Sequence, residues 1–132
     1  MAKKKSAAKL KKELDKWFSL YIRWYYADDT GYVECYTCGV QKPVKEMQNG
    51  HFQSRRHHAT RFDENNCRPQ CVKCNMFSQG EQYLFGERLK SDLGEDAVDD
   101  LIRLTKSTMK WSVTEYEEAI QTYKKLVKEM IG

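Results

Sequence analysis

The 132-residue sequence has no long apolar run, few prolines and few cysteines. A transmembrane helix needs about 20 consecutive apolar residues, and the best run here, residues 17–22, is far shorter and contains a serine. The basic start at Lys3, Lys4 and Lys5 is not followed by an apolar stretch, so a secretory signal peptide is not expected. These absences predict an intracellular, cytoplasmic protein without a membrane span.

The five cysteines indicate a metal site and not a disulfide framework, because they are few, odd in number and closely spaced. Cys35 and Cys38 form one C-x-x-C pair, and Cys71 and Cys74 form a second. This spacing lets both thiolates of a pair reach one ion at about 2.3 Å. We therefore predict one structural Zn²⁺ with four cysteine ligands and no open position for water. Cys67 is left over and is expected to be a small buried residue on a strand.

Charge is distributed unevenly along the chain, although the net charge is only +4. Residues 1–16 contain seven lysines and two acidic residues, and residues 50–80 are also basic and contain all three histidines. Residues 81–132 are acidic overall. Basic segments attract phosphate, but lysine-rich termini are often only solubilising. Charge alone therefore leaves nucleic-acid binding open.

Hydrophobic periodicity predicts helices at both ends of a single domain. Apolar residues at three- and four-residue steps predict a helix over about residues 7–27, with this buried face: Leu10, Leu14, Trp17, Phe18, Tyr21, Ile22 and Tyr25. Helical spacing returns after residue 80 in two short segments and a final helix. That last helix should begin with a capping box of Ser112 and Glu115, and Trp111 should pack on Tyr116. Its expected apolar face is Tyr116, Ile120, Tyr123, Val127 and Met130.

The middle segment, residues 32–80, is poor in apolar residues and holds the candidate chemistry. His51 lies on an expected strand, Asn66 follows fifteen residues later, and Asn75 comes directly after the last cysteine of the second pair. This order resembles the HNH, or ββα-metal, nuclease motif, in which two strands and a helix hold one divalent cation. In zinc-clamped members of that superfamily, the residue after the final cysteine is an asparagine metal ligand, and Asn75 matches that position.

The resemblance narrows further, to the NinG (Rap) phage recombination proteins. It rests on Gly-His-Phe at 50–52, Thr-Arg-Phe-Asp-Glu-x-Asn at 60–66 and Gln-Cys-x-x-Cys-Asn at 70–75, with a Trp-Ser helix start downstream. The likeness covers about residues 28–130. It implies an endonuclease that cleaves branched recombination intermediates, such as D-loops and Holliday junctions, in the host cytoplasm. Implied partners are branched DNA and recombination proteins, and symmetric junction resolution would require a homodimer.

The implied fold is α+β, in one domain spanning residues 1–132. A zinc-clamped ββα-metal (HNH) core at residues 31–80 would be flanked by an N-terminal helical segment, 10–30, and a helical C-terminal part, 81–132. Residues 1–9 would form a basic flexible leader. Because the apolar content of the middle segment is low, the zinc ion is expected to supply most of its cohesion.

Each candidate residue has an expected role in phosphodiester hydrolysis. His51 would be the general base, because imidazole accepts a proton near neutral pH. Asn66 would orient the strand that carries His51, and the amide oxygen of Asn75 would bind a catalytic Mg²⁺ or Mn²⁺. Phosphate contacts are expected from Arg55, Arg56, Arg61, Lys3, Lys4 and Lys5.

The remaining ligands of the catalytic metal stay open at this stage. Many HNH nucleases carry an acidic or histidine ligand directly before the base, and Gly50 occupies that position here. Either His51 itself binds the metal, or the ion relies on Asn75, substrate and water, with Asp63 as a further contributor. A second function also stays open: a zinc-stabilised DNA-binding module without catalysis. An RNA-cleaving HNH relative is a third.

Overall fold

The computed structural model describes residues 5–132, so Lys3 and Lys4 lie outside the described residues. The helices are α1 (Ala7–Tyr25), α2 (His58–Arg61), α3 (Gln82–Leu93), α4 (Glu95–Leu104) and α5 (Val113–Ile131). The strands are β1 (Tyr32–Glu34), β2 (Gln41–Pro43), β3 (Met47–His51) and β4 (Cys67–Cys71). Single helical turns cover Val44–Glu46, Glu64–Asn66 and Lys73–Phe77. None of the helices in the described range is long and apolar enough to span a membrane.

Helices α1 and α5 pack together and, with Phe62 and Cys67, form the largest apolar cluster. The periodicity predicts an apolar face on each helix but does not predict that the two faces meet. Helix α1 ends at Tyr25, and Asp28 then accepts hydrogen bonds from the backbone N–H groups of Thr30 and Tyr32 in a tight turn. Helix α5 begins with the predicted capping box of Ser112 and Glu115. Trp111 stacks on Tyr116, their ring centroids 5.5 Å apart, so the predicted contact is confirmed.

The predicted burial is wrong for two residues of the helix faces, and each of them lies in the final turn of its helix. Tyr25 is 58% exposed and Met130 is 38% exposed. The other predicted face residues of α1 and α5 are buried or packed against the cluster.

The middle segment consists of two antiparallel hairpins. Strand β1 pairs with β2, and β3 pairs with β4 in a register that places His51 opposite Cys67. The N–H of Tyr36, just after β1, donates to the carbonyl of Pro69 in β4 at 2.9 Å and joins the hairpins. Arg23 of α1 donates to the carbonyls of Val44 and Met47, which fixes α1 against the start of β3.

The second hairpin is followed directly by a helical turn, Lys73–Phe77, which is only five residues long. Two antiparallel strands and a helical turn are therefore present in the predicted order. The helices α3 and α4 cover the hairpins from the other side through a cluster of Tyr36, Phe52, Phe85, Leu89, Val98 and Leu101. The mixed helix and small-sheet fold is as predicted, and assignment of its centre to the HNH superfamily stays a prediction.

Candidate functional site

The four predicted zinc ligands converge at one point. The sulfur atoms of Cys35, Cys38, Cys71 and Cys74 all lie within 4.8 Å of one another. The Sγ atoms of Cys38 and Cys71 are 3.6 Å apart. Such a set of four sulfurs fits the tetrahedral geometry of a structural Zn²⁺. The prediction of four cysteines able to hold one zinc ion is therefore confirmed.

Backbone hydrogen bonds favour the thiolate form of Cys35, which is the form that binds a cation. Burial acts to raise the pKa of the Cys35 thiol, but N–H groups of Cys71, Cys38 and Thr37 outweigh it and lower that pKa to about 6. The pKa of Cys74 is instead raised to about 12, first by burial and then by the neighbouring cysteines. A bound divalent cation compensates the charge of adjacent thiolates. The few apolar residues around the cluster include Val33, Val44 and Met47.

Cys67 is not part of the cluster. It is fully buried in β4, and its Sγ lies 3.7 Å from the carbonyl oxygen of Arg61. This matches the expectation of a small buried residue on a strand, and it makes Cys67 a natural control for experiments on the four ligands.

A cleft of about 410 Å³ opens beside the second hairpin. It brings together three of the predicted site residues, His51, Asn75 and Arg55. Sequence reasoning missed its other wall, which α1 supplies through Asp15, Ser19 and Arg23. The cleft lining is completed by Met47, Gln48, Asn49 and Met76.

His51 is held in a defined tautomer at this cleft. Its Nε2 lies 3.0 Å from the carbonyl oxygen of Arg61. A carbonyl can only accept, so Nε2 carries the proton and Nδ1 keeps a lone pair that can accept one. Burial lowers the pKa of His51 to about 4, and the charges of Arg55 and Arg61 add to that effect. The imidazole is therefore neutral at pH 7.

This lowered pKa predicts a stability change with pH. The folded state disfavours the His51 cation, so stability is full above the unfolded pKa of about 6.5 and falls as the pH drops toward 4. The loss attributable to this residue should reach about 3 kcal/mol near pH 4. Urea unfolding of wild type and His51→Gln measures it, because glutamine keeps a donor for the Arg61 carbonyl but does not titrate. Identical pH slopes for the two proteins would contradict the assignment.

Asn66 has the hydrogen bonds that an orienting role requires. It is fully buried, and its Oδ1 accepts from the N–H of Gln53 at 2.8 Å. Its Nδ2 donates to the carbonyls of Gln53 and Thr60, each at 3.0 Å. These bonds tie the chain just beyond His51 to the loop before β4. Asn66 lies behind the cleft and does not line it.

Asn75 lies in the helical turn after β4, on the cleft side. Its Nδ2 donates to Oε1 of Gln48 at 2.8 Å, which leaves Oδ1 available as an oxygen ligand. Gln48 is itself held, because its Nε2 lies 3.5 Å from the sulfur of Met76. The residue directly before Asn75 is Cys74, a member of the four-cysteine cluster, so the cluster and the cleft share this turn.

Gly50 occupies its position for a steric reason. A Cβ there would lie 2.1 Å from Oε1 of Gln70, which crosses beneath the strand fully buried. The Nε2 of Gln70 donates to Thr37 and to the carbonyl of Gly80, so this side chain cannot move aside freely. A metal-binding side chain directly before His51 is therefore excluded in this fold.

Two of the candidate site residues, Arg61 and Asp63, have partners within the chain. Arg61 was expected to grip phosphate, but its guanidinium forms an ion pair with both carboxylate oxygens of Asp15 and donates to the carbonyl of Arg55. Asp63 was expected to contribute to the catalytic metal, but it does not line the cleft. Its carboxylate instead accepts from the N–H of Asn65 and caps the turn Glu64–Asn66.

The other predicted DNA contacts differ in position. Arg55 lies at the cleft, and Arg56 is exposed on the same loop. The Nζ of Lys5 lies 2.8 Å from a carboxylate oxygen of Glu13, and the lysine side chain remains exposed to solvent in this ion pair. Asp15 was missed because nothing in its local sequence distinguishes it from other helix-surface acids; its partner Arg61 is 46 residues away.

The fold and the cysteine cluster define this chain as a small mixed helical and sheet protein with four converging cysteines that could hold a metal ion. A family model described as "Bacteriophage Lambda NinG protein" matches residues 1–131, so the chain belongs to the NinG family.

Curated relatives agree with this assignment. Proteins named "Protein ninG" from Escherichia phage 933W and Enterobacteria phage VT2-Sa are each 28% identical over 97 residues, and the one from Escherichia phage lambda is 27% identical. These matches cover 73% of this chain and 47% of each relative, so the chain spans about half their length. No solved structure matches.

Proposed function

We propose that this protein is a metal-dependent DNA endonuclease of the HNH type that hydrolyses phosphodiester bonds in branched recombination intermediates, such as D-loops and Holliday junctions. One observation carries the proposal: a neutral His51 with an available Nδ1 shares one cleft with the Asn75 amide and with Arg55. A purely structural histidine would not need this arrangement beside a cationic cleft.

The chain supplies the protein groups that hydrolysis requires. Nδ1 of His51 accepts the proton of the attacking water, and the Arg61 carbonyl keeps the ring in the tautomer that allows it. Arg61 is therefore a positioning residue, locked in place by its ion pair with Asp15. Arg55 is placed to bind a phosphate oxygen at the cleft.

Asn75 is the residue that would hold a catalytic Mg²⁺ or Mn²⁺, through its Oδ1 oxygen. When bound, such an ion relieves negative charge on the phosphate and stabilises the departing 3′ oxygen. Gly50 offers no ligand, and the oxygens of Asp15 are taken by Arg61. The protein therefore provides few ligands, and the ion is expected to bind weakly until DNA supplies a phosphate oxygen.

A lysine row that begins just before α1 and continues along it gives the DNA a route to the cleft. Lys5, Lys9, Lys12 and Lys16 recur at three- and four-residue steps and are exposed. Ser19 continues the same helix face and lines the cleft. This row replaces Arg61 as the main source of non-specific phosphate contacts on this side of the molecule. The proposal includes action in the host cytoplasm, with recombination proteins and a second copy of the chain as partners.

The test is a cleavage and binding assay on two DNAs of matched sequence, a labelled four-way junction and a linear duplex. The zinc-loaded protein is placed in metal-depleted buffer with or without added Mg²⁺; a strong chelator is avoided because it would also remove zinc. We expect Mg²⁺-dependent incision of the junction, with 5′-phosphate and 3′-hydroxyl ends. No incision under any condition would refute the endonuclease.

The competing function is a zinc-stabilised DNA-binding module, which the basic lysine row also favours. It predicts salt-sensitive binding to both DNAs with no incision. Parallel RNA junctions separate a third candidate, an RNA-cleaving relative, because incision of RNA alone would assign the activity to that substrate.

A further inference from the structure

Apolar side chains project into solvent beside the cleft, where a soluble protein has no structural need for them. Phe77 is 80% exposed and Tyr83 is 78% exposed, the highest values among the large apolar residues of the described chain. Met76 and Leu84, at 60% and 49%, adjoin them in sequence. We refer to Met76, Phe77, Tyr83 and Leu84 as the aromatic rim. Contiguous exposed apolar surface of this kind marks interaction sites.

Contacts to site residues place the aromatic rim at the edge of the cleft. Phe77 ends the helical turn that carries Asn75, and Met76 itself lines the cleft. Tyr83 follows Gln82, whose Nε2 donates to the carbonyl of His51 at 3.2 Å. Along the chain, the Phe77 ring therefore follows directly on the cleft residues Asn75 and Met76, and the Tyr83 ring follows the residue that hydrogen-bonds the His51 backbone.

The segment joining the two rings is held in an unusual backbone conformation. Gln79 and Glu81 have positive φ values of 52° and 49°, a region that non-glycine residues rarely adopt. Two hydrogen bonds hold the backbone of the intervening Gly80. Its N–H donates to the carbonyl of Cys74, and its own carbonyl accepts from Nε2 of the buried Gln70. Such strain persists where surrounding structure enforces it, and it clusters at functional sites. The backbone segment between Phe77 and Tyr83 is therefore held in one conformation.

The chemistry of the surroundings favours a nucleobase as the occupant. The rim meets the cleft at Met76, the exposed Arg55 lines that cleft, and Lys73 lies exposed in the same turn as Phe77. Flat aromatic rings beside cationic side chains are the combination that binds single-stranded nucleic acid, because rings stack on bases while cations contact phosphates. In a perfect duplex the bases already stack on each other and offer no free face.

We propose that Phe77 and Tyr83 stack on unpaired bases at a DNA branch point and so make the cleft selective for branched over linear DNA. This inference rests on the proposed function, since it assigns DNA to the neighbouring cleft. It does not require catalysis, because the stacking contact is made by residues separate from His51 and Asn75.

The test measures binding without cleavage, on zinc-loaded protein in metal-depleted buffer. One DNA is a three-way junction with two unpaired bases at the branch, and the other is a linear duplex of the same arm sequence. The double variant Phe77→Ala/Tyr83→Ala removes two stacking contacts, so it should bind the junction at least about 30-fold more weakly and the duplex within about 2-fold of wild type. Phe77→Trp, which keeps a stacking ring, should retain the preference.

A control variant and a fluorescence signal distinguish the loss of base stacking from a general loss of exposed apolar side chains. Ile131→Ala removes a similarly exposed apolar side chain, 58% exposed on α5, and should leave both affinities unchanged. A 2-aminopurine at the unpaired position should lose fluorescence on binding wild type and Phe77→Trp, but not the double variant.

The DNA-binding measurements would overturn the inference in three ways: equal weakening for both DNAs, no weakening for either, or unchanged 2-aminopurine quenching in the double variant. If the double variant instead loses self-association in sedimentation while keeping its DNA preference, the rim is a contact between copies and the inference is wrong. Absence of cleavage in the separate Mg²⁺ assay would remove the endonuclease and leave this binding result standing.

Discussion

Substitution of Cys71 by serine is expected to release the zinc and unfold the middle of the molecule. Cys71 joins β4 to the metal cluster, and its sulfur lies 3.6 Å from that of Cys38. The apolar residues around the cluster are few: Val33, Val44 and Met47, with Trp24 and Ala27 packed against them. Binding of a structural zinc contributes about 10–16 kcal/mol in zinc-finger peptides, more than the whole stability of most small domains. Loss of a ligand should therefore abolish cooperative folding of residues 32–80.

The measurement pairs zinc content by atomic absorption with thermal unfolding followed by circular dichroism. Wild type should carry one zinc per chain, and Cys71→Ser should carry much less. Cys67→Ala is the matched control, because Cys67 is equally buried in the same strand but is not a ligand. It should keep one zinc and lose only the modest stability of a small cavity. A normal melting curve for Cys71→Ser would contradict the zinc clamp.

Substitution of His51 by alanine should lower the cleavage rate by about 100- to 10,000-fold, the usual contribution of a general base. The Nδ1 atom that accepts the proton is lost, whereas the zinc ligands and the paired strands remain. Alanine also leaves the Arg61 carbonyl without its donor, which lowers stability by about 1–3 kcal/mol. His51→Gln keeps a donor there and should be equally inactive, so the effect on rate can be separated from the effect on folding.

His57→Ala is the control for this pair of variants. His57 lies just before α2, in the loop that also carries Arg55 and Arg56, and it does not line the cleft. Its removal should change the cleavage rate by less than about 3-fold. Single-turnover rates on one labelled junction compare all four proteins. If His51→Gln cleaves at the wild-type rate, His51 is structural and the proposed general base is wrong.

The local features of this protein could be predicted from sequence because short-range patterns determine them. The spacing of Cys35, Cys38, Cys71 and Cys74 is sufficient to predict that they share one ion, and their sulfur atoms do lie close enough together to hold one. The capping box at Ser112 depends only on neighbours three residues apart. The α1 face follows from helical period, with error only at Tyr25, where the helix ends.

The cleft could not be predicted in full, because it forms where distant segments pack. Asp15 faces Arg61 only once α1 lies against the second hairpin, and that ion pair engages the guanidinium for which the sequence predicts a phosphate contact. Gly50 looked like a missing metal ligand in sequence. The buried Gln70, twenty residues away, shows that the position has no room for any side chain. Residue type alone does not reveal such long-range partners.

The central claim is that the cleft holding His51 and Asn75 cleaves DNA with the help of a second metal, distinct from the structural zinc. Its most direct test is the single-turnover rate of junction cleavage as Mg²⁺ is raised from zero in metal-depleted buffer, with zinc counted in the same samples. The account predicts a rate that rises from background and saturates while zinc stays at one per chain. A rate that stays at background across the whole titration, with zinc still bound, would contradict it.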